Sequence, residues 1–254
     1  MALALAGCLA APAAPASDGV APRTWRIDGC AFVIAVVPVD EAALAARLPE
    51  GFALAPSRLP ALPGIPRGAV ELDAYQCAGG AWFGRNATPL AYGSHYAAVA
   101  APDALQQEGY DATFVKWDTL VADDAARASL ALAGAPVHDG DALVTIDGAR
   151  LTASLSFDDG TGFSLTGALQ PPAAQGAPLP FMEFTPLAGG SALARWHARL
   201  HDARIGSGAG VVQLPEGSWV REMVGAPSAP VQLIAGTWNL DEADVAFPVA
   251  WPVS

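Results

Sequence analysis

Lys116 is the only lysine in a chain of 254 residues, and it stands in an apolar stretch, Thr113 to Val121, reading TFVKWDTLV. An amine among apolar neighbours gives up its charge more readily than one in water. The neutral amine is the nucleophile that forms Schiff bases with carbonyl compounds. The competing reading is structural. Strand alternation puts Phe114, Lys116, Asp118 and Leu120 on one face, and a solvated Lys116–Asp118 ion pair on the outside is the simpler account. Lining a polar lumen is the alternative.

A second group with chemical potential is Arg195, His197, Arg199 and His201, which alternate with Trp196, Ala198 and Leu200. That is period two, a strand with one basic face. If the face lines an interior, Arg195 and Arg199 suit a carboxylate ligand, because guanidinium matches carboxylate bidentately. If it faces solvent, it is a basic stripe. His197 and His201 would lie ~13 Å apart on a strand. One metal ion cannot take both, since zinc–nitrogen bonds are about 2.0–2.1 Å, and no metal site is expected. The sequence holds no phosphate-binding loop and no Gly-x-Ser-x-Gly elbow.

Composition bounds the partners. Lysine and arginine total 13 against 25 acids, a net charge of −12. Nucleic-acid backbones and anionic membrane surfaces both need clustered cations, so neither is an expected partner. Apolar residues make up 52% of the chain, enough for a substantial core. The oligomeric state is left open.

Residues 1–19, MALALAGCLAAPAAPASDG, differ from the rest. They carry no charge before Asp18, and Leu5-Ala6-Gly7-Cys8 matches the bacterial lipobox, in which the cysteine is acylated. The expectation is an export-signal remnant and lipoprotein tether over 1–19, with Cys8 as lipid anchor and the protein in the cell envelope or periplasm. The apolar run is short for a signal and lacks a basic start. An ordinary tail is the alternative. Residues 20–254 then form one domain.

The remaining cysteines bear on the compartment. Cys30 opens the run CAFVIAVV and Cys77 closes AVELDAYQC. If these strands pair antiparallel with Val37 opposite Val70, Cys30 falls opposite Cys77. A disulfide then requires close approach, and an exported protein would allow it. Two separate buried thiols are the other possibility.

Most of the chain reads as strands: CAFVIAVVPV, AVELDAYQC, HYAAVAAP, DATFVKWDTLV, the stretch DALVTIDGARLTASLSFDDGTGFSLTGAL with its Asp-Gly turns, and the long stretches after Ala192. Two short helices are expected. One starts at Asp40 and stops by Pro49 and Gly51; the other starts at Asp123 or Asp124 and stops at Gly134. The fold class is mostly β (α+β), an antiparallel barrel or sheet with a few short helices.

The order of these elements resembles the acetoacetate decarboxylase-like superfamily. The stretches carrying the likeness are VIAVVPVDEAALAARLPEGFAL, AVELDAYQC, YGSHYAAVAAP, FVKWDTLVADDAARASLALAGAP and VQLIAGTWNLDEADVAFP, which together span about residues 28 to 250. The resemblance implies a cone-like β-barrel with the active site inside and no cofactor. In working members a lysine after Gly-x-Pro forms a Schiff base with a β-keto acid, and the iminium takes up the electrons as carbon dioxide leaves. Here that motif is Gly134-Ala135-Pro136-Val137, and valine cannot form an imine. The family's arginine on the first strand aligns with Cys30. One carboxylate position matches Glu71, while the other aligns with Ser94 or His95. Two functions follow as expectations. The first is a barrel that has lost Schiff-base decarboxylation and binds a small, partly apolar ligand, carboxylates included, near Ser94, His95, Val137, Arg195 and Arg199. The second is a carbon–carbon lyase acting on a β-keto acid or related carbonyl compound through Lys116 or an acid/base site centred on Glu71.

Overall fold

The computed structural model describes residues 23–250, apart from 58–64, 66, 83–84, 88–89, 107–111, 133, 176–178 and 191. The Cys8 anchor and the 1–19 tether expected above lie outside the described residues. In chain order the elements are β1 (Arg23–Pro38), α1 (Glu41–Ala45), β2 (Ala53–Leu54), β3 (Ala69–Trp82), β4 (Arg85–Ala87), β5 (Leu90–Ala100), β6 (Ala112–Val121) and α2 (Asp124–Leu132). There follow β7 (Val137–His138), β8 (Gly140–Asp147), β9 (Arg150–Phe157), β10 (Gly162–Leu169), β11 (Ala173–Ala174), β12 (Leu179–Pro186), β13 (Ala192–Gln213), α3 (Trp219–Val224) and β14 (Ser228–Ala250).

Seven strands close a barrel in the order β12–β6–β5–β3–β1–β14–β13, with β13 returning to β12. Every pairing in the ring is antiparallel except β12 with β6. Beyond β13 the sheet continues as β10–β9–β8. These strands curl back over the outside of β3 and β5. The approach is close at Gly93, where an added Cβ would stand 2.5 Å from a Leu155 methyl and 2.7 Å from the Asp73 carbonyl oxygen.

Two apolar layers result, and they explain the composition of the central strands. On β1, Phe32, Ile34 and Val36 face the lumen, while Val33, Ala35 and Val37 face the outer sheet. A strand buried on both faces has no polar parity, which is why CAFVIAVV reads as an unbroken apolar run. Across β1 and β3, Val37 pairs with Val70 and Cys30 with Cys77. The two cysteines form a disulfide on the lumen side.

The helix ends follow local chemistry. Asp40 Oδ1 accepts the Ala43 N–H at 2.7 Å, capping α1, whose Leu44 is buried. Asp123 Oδ1 does the same for Ala126 at 2.7 Å, opening α2. The third helix, α3, corrects the expectation of two. It is only six residues long, too short for a readable apolar period, but Gly225 ends it in the left-handed conformation at φ 72°. The strand reading of Ala192 onward holds: β13 runs from Ala192 to Gln213, and Asp202 absorbs a register shift at φ 51°.

Candidate active site

The lumen's polar groups come from adjacent strands in register. Glu71 on β3 pairs with Tyr96 on β5, which pairs with Lys116 on β6. One row along, Asp73 pairs with Ser94, and Ser94 with Thr119. Alternation on β3 sends Glu71, Asp73 and Tyr75 to the same side. On β6 the alternation breaks. His95 pairs with Asp118 while its neighbour Tyr96 pairs with Lys116, so Trp117 is an extra residue, a β-bulge. Phe114 and Lys116 therefore point inward, Asp118 points outward beside His95, and Val121 points inward again. The external Lys116–Asp118 ion pair expected from simple alternation does not form.

Lys116 is fully buried. Its Nζ donates to Glu183 Oε2 at 2.6 Å and to the Tyr92 hydroxyl at 2.7 Å. It also lies 3.9 Å from the centre of the Trp196 ring, a cation–π distance. Glu183 on β12 stands directly opposite Trp196 on β13, so both reach the lumen together. Trp196 is fixed in turn by its Nε1 donating to Thr185 Oγ1 at 2.9 Å.

Two further carboxyl groups share this interior. Asp73 accepts the Tyr75 hydroxyl at 2.8 Å on one oxygen, and on the other the Ser94 hydroxyl at 3.0 Å and the Ser94 backbone N–H. Burial pushes Asp73 up to about 7, and the negative Glu183 adds to the rise while Tyr75, Ser94 and Lys116 oppose it. Burial pushes Glu71 up to about 8, with the Ser57 and Tyr96 hydroxyls opposing and Asp73 and Glu183 adding. Glu71 Oε2 is buried with no hydrogen-bond partner among the described residues. Burial also raises Tyr75, Tyr92 and Tyr96 well above the usual phenol range, so all three remain hydrogen-bond donors.

A crevice opens onto this cluster between Trp25, Tyr75, Tyr92, Phe181, Glu183 and Trp238. Its free volume is about 10 Å³, room for about one water. Ring contacts close the rest: Phe32 stacks on Trp238 at 3.8 Å, and Trp25 meets Tyr92 at 5.6 Å and Trp196 at 6.1 Å.

The other residues singled out by sequence fall as follows. Ser94 is in the lumen, holding Asp73. Val137 opens β7, pairs with Thr119, and packs half-buried against the lumen core. Arg195 and Arg199 do not line the lumen. The opposite parity does, through Ala194, Trp196, Ala198 and Leu200, and Arg199 is exposed. The basic face is an outer face because the apolar parity of β13 fills the barrel. His95 also points away, into the layer beneath the outer sheet. Its Nδ1 meets Asp118 Oδ2 at 3.2 Å, beside Phe157 and Trp219. Asp118 further accepts Trp219 Nε1 at 2.8 Å and lies 3.5 Å from His138 Nε2. Burial alone would raise Asp118, but the hydrogen bonds from His138, His95 and Trp219 hold it far below the usual carboxylate range. Sequence reasoning missed Asp73, Tyr92 and Glu183. Asp73 was findable, two residues from Glu71 on one strand face. Glu183, a single acid inside LPFMEFTP, carried no signal of its own.

No protein-family model matches the chain, and no curated protein sequence matches it significantly. Solved structures do. The enduracididine biosynthesis enzyme MppR with HEPES bound superposes with a TM-score of 0.58 at 14% identity, over 98% of this chain and 99% of that one. MppR complexed with pyruvate gives 0.55 at 15%, over 91% and 90%. Acetoacetate decarboxylase from Legionella pneumophila gives 0.56 at 12%, over 96% and 99%. An acetoacetate decarboxylase-like enzyme from Sphingomonas wittichii RW1 gives 0.57 at 14%, over 97% and 100%. The chain has the acetoacetate decarboxylase-like fold. Inside this barrel the buried amine is Lys116, on the strand that pairs with the Val137 strand.

Proposed function

We propose that the protein is a carbon–carbon lyase-type enzyme of small oxo acids, with Lys116 supplying the amine that position 137 lacks. The observation that carries this reading is the Lys116 amine, buried inside the barrel against Glu183 and Tyr92. The step balances without a cofactor. Glu183, at 2.6 Å, accepts the ammonium proton. The free amine adds to the substrate carbonyl, and a protonated lumen carboxyl of Glu71 or Asp73 donates as the carbinolamine loses water. With a β-oxo acid the resulting iminium accepts the electron pair as the carbon–carbon bond to carboxylate breaks and carbon dioxide leaves; the enamine takes a proton at carbon, and water hydrolyses the imine to free the product and the amine. MppR, which shares the fold, is known in complex with pyruvate, so pyruvate and acetoacetate are the first probes.

One observation favours a second reading, a barrel that binds a small acid without chemistry. The crevice has room for about one water, and Lys116 already holds a short ion pair. An enzyme must open the aromatic packing and break that pair for each turnover. A binding protein must open the same packing to admit its ligand but can leave the ion pair intact.

Borohydride reduction with pyruvate or acetoacetate, followed by peptide mass spectrometry, separates them. The lyase reading expects an adduct on Lys116 that disappears in Lys116→Met. Thermal stabilisation by these acids with no adduct at saturating concentration would leave the binding reading and remove the other.

A further inference from the structure

Three carboxyl groups, Glu71, Asp73 and Glu183, share the lumen with one amine. Lys116 is the only buried lysine or arginine among the described residues. Were all three carboxyls ionised, this water-poor interior would carry two uncompensated negative charges, which low dielectric forbids. Glu183 is ionised because it holds Lys116 at 2.6 Å. The charge of the other two must therefore be held down by protons. A carboxylate ligand adds a further negative charge to the same space, and among the described residues no spare buried cation is there to meet it.

We propose that the lumen takes up a small monocarboxylic acid as the anion together with one proton, and that the Asp73 carboxyl receives that proton. This rests on the reading of the lumen as an organic-acid site. Asp73 is faced by Glu71 and Tyr75 on its own strand, by Tyr92, Ser94 and Tyr96 on β5, by Lys116 and Thr119 on β6 and by Glu183 on β12; on β1 its register partner is the apolar Ile34. The other carboxyls that face it are those of Glu71 and Glu183. Asp73 accepts the Tyr75 hydroxyl and both the hydroxyl and N–H of Ser94, which favour its charged form, whereas Glu71 Oε2 receives no hydrogen bond among the described residues; burial raises both carboxyls. Asp73 is thus the group whose occupancy an arriving anion changes. Glu71 has a separate part. Its buried Oε2, without a hydrogen-bond partner among the described residues, gives the protonated carboxyl a hydrogen bond to offer the ligand carboxylate.

The test uses propionate, which has no carbonyl and cannot form an imine. Titration calorimetry of the full chain in two buffers of different ionisation enthalpy reads protons taken up per ligand. The expectation is uptake of roughly one proton at pH 7.5 and almost none at pH 5.5, with Kd weakening up to about tenfold per pH unit above neutrality. In Asp73→Asn, uptake falls by more than half and Kd becomes nearly flat between pH 6 and 8. Absence of propionate binding at pH 5.5, a Kd independent of pH, or undiminished uptake in Asp73→Asn would each overturn the proposal. The wild-type buffer comparison stands even where the variant folds poorly. Proton-linked propionate binding without a pyruvate adduct removes the lyase reading alone. A trapped adduct with pH-independent binding removes this inference alone.

Discussion

Lys116 and Asp118 stand two residues apart on one strand yet occupy opposite sides of the barrel wall, because Trp117 is inserted between them as a bulge. Their variants should therefore separate cleanly. Asp118→Asn weakens the hydrogen bonds from His95, Trp219 and His138 in the outer layer, a loss of roughly 1–3 kcal/mol. It leaves the lumen untouched, so borohydride trapping on Lys116 should persist. Urea unfolding and trapping on the same preparation check both halves. Loss of the adduct in a folded Asp118→Asn protein would contradict the separation.

How much of this was legible follows the same logic. The pairing of β1 with β3, down to Val37 opposite Val70 and Cys30 opposite Cys77, could be written from two apolar runs. A straight ladder has no freedom once one pair is chosen. Asp40 and both expected helices were legible because caps are local. Alternation located the outer face of β13 as one of two options, but choosing needed the tertiary fold. The bulge at Trp117 left no mark in TFVKWDTLV, so the parity argument sent Lys116 to the wrong side. Glu183 was invisible for a different reason: its role depends on a parallel β12–β6 pairing that joins residues about 70 apart along the chain.

The disulfide closes a loop of 47 residues between adjacent barrel strands. The chain-entropy relation gives a stabilisation of about 4 kcal/mol for a loop of that size. Cys30→Ala with Cys77→Ala should lower the urea midpoint by a corresponding amount. The oxidised wild type treated with reductant should approach the double variant. Equal midpoints for all three would mean that the bond contributes nothing to stability.

Stability should fall as pH rises from about 5 to 8.5. Glu71 and Asp73 have folded values of about 8 and about 7, above their ordinary 4.5 and 3.8. Between those limits the native state binds more protons than the unfolded chain, so the slope of unfolding free energy with pH is negative. Stability from these groups is full below the unfolded values and is lost on the way up to the folded ones. His138, raised chiefly by Asp118, acts in the same direction at its upper end. The total is on the order of several kcal/mol. Glu71→Gln should flatten much of the slope and be at least as stable as wild type at pH 8.5. Urea titrations at three pH values decide it, and a stability that climbs with pH would refute the protonated lumen.

The Lys116–Glu183 pair should show strong coupling in a double-mutant cycle. Both partners are almost wholly buried, at 0% and 8% side-chain exposure, with 2.6 Å between nitrogen and oxygen. Lys116→Met strands a carboxylate among Trp196, Tyr92 and two other acids. Breaking one side of such a pair costs roughly 3–5 kcal/mol. Glu183→Gln strands the ammonium, although Tyr92 and the Trp196 face still hold it, so its cost should be the smaller of the two. The double variant leaves no unpaired charge and should recover most of the loss from Lys116→Met, since a neutral pair of similar volume is often as stable as the ion pair. Chemistry divides the variants differently. Glu183→Gln keeps the amine but removes the group that accepts its proton, so adduct formation should slow, whereas the double variant forms none. Additive stability losses, with no recovery in the double variant, would mean that the two side chains do not pair in solution.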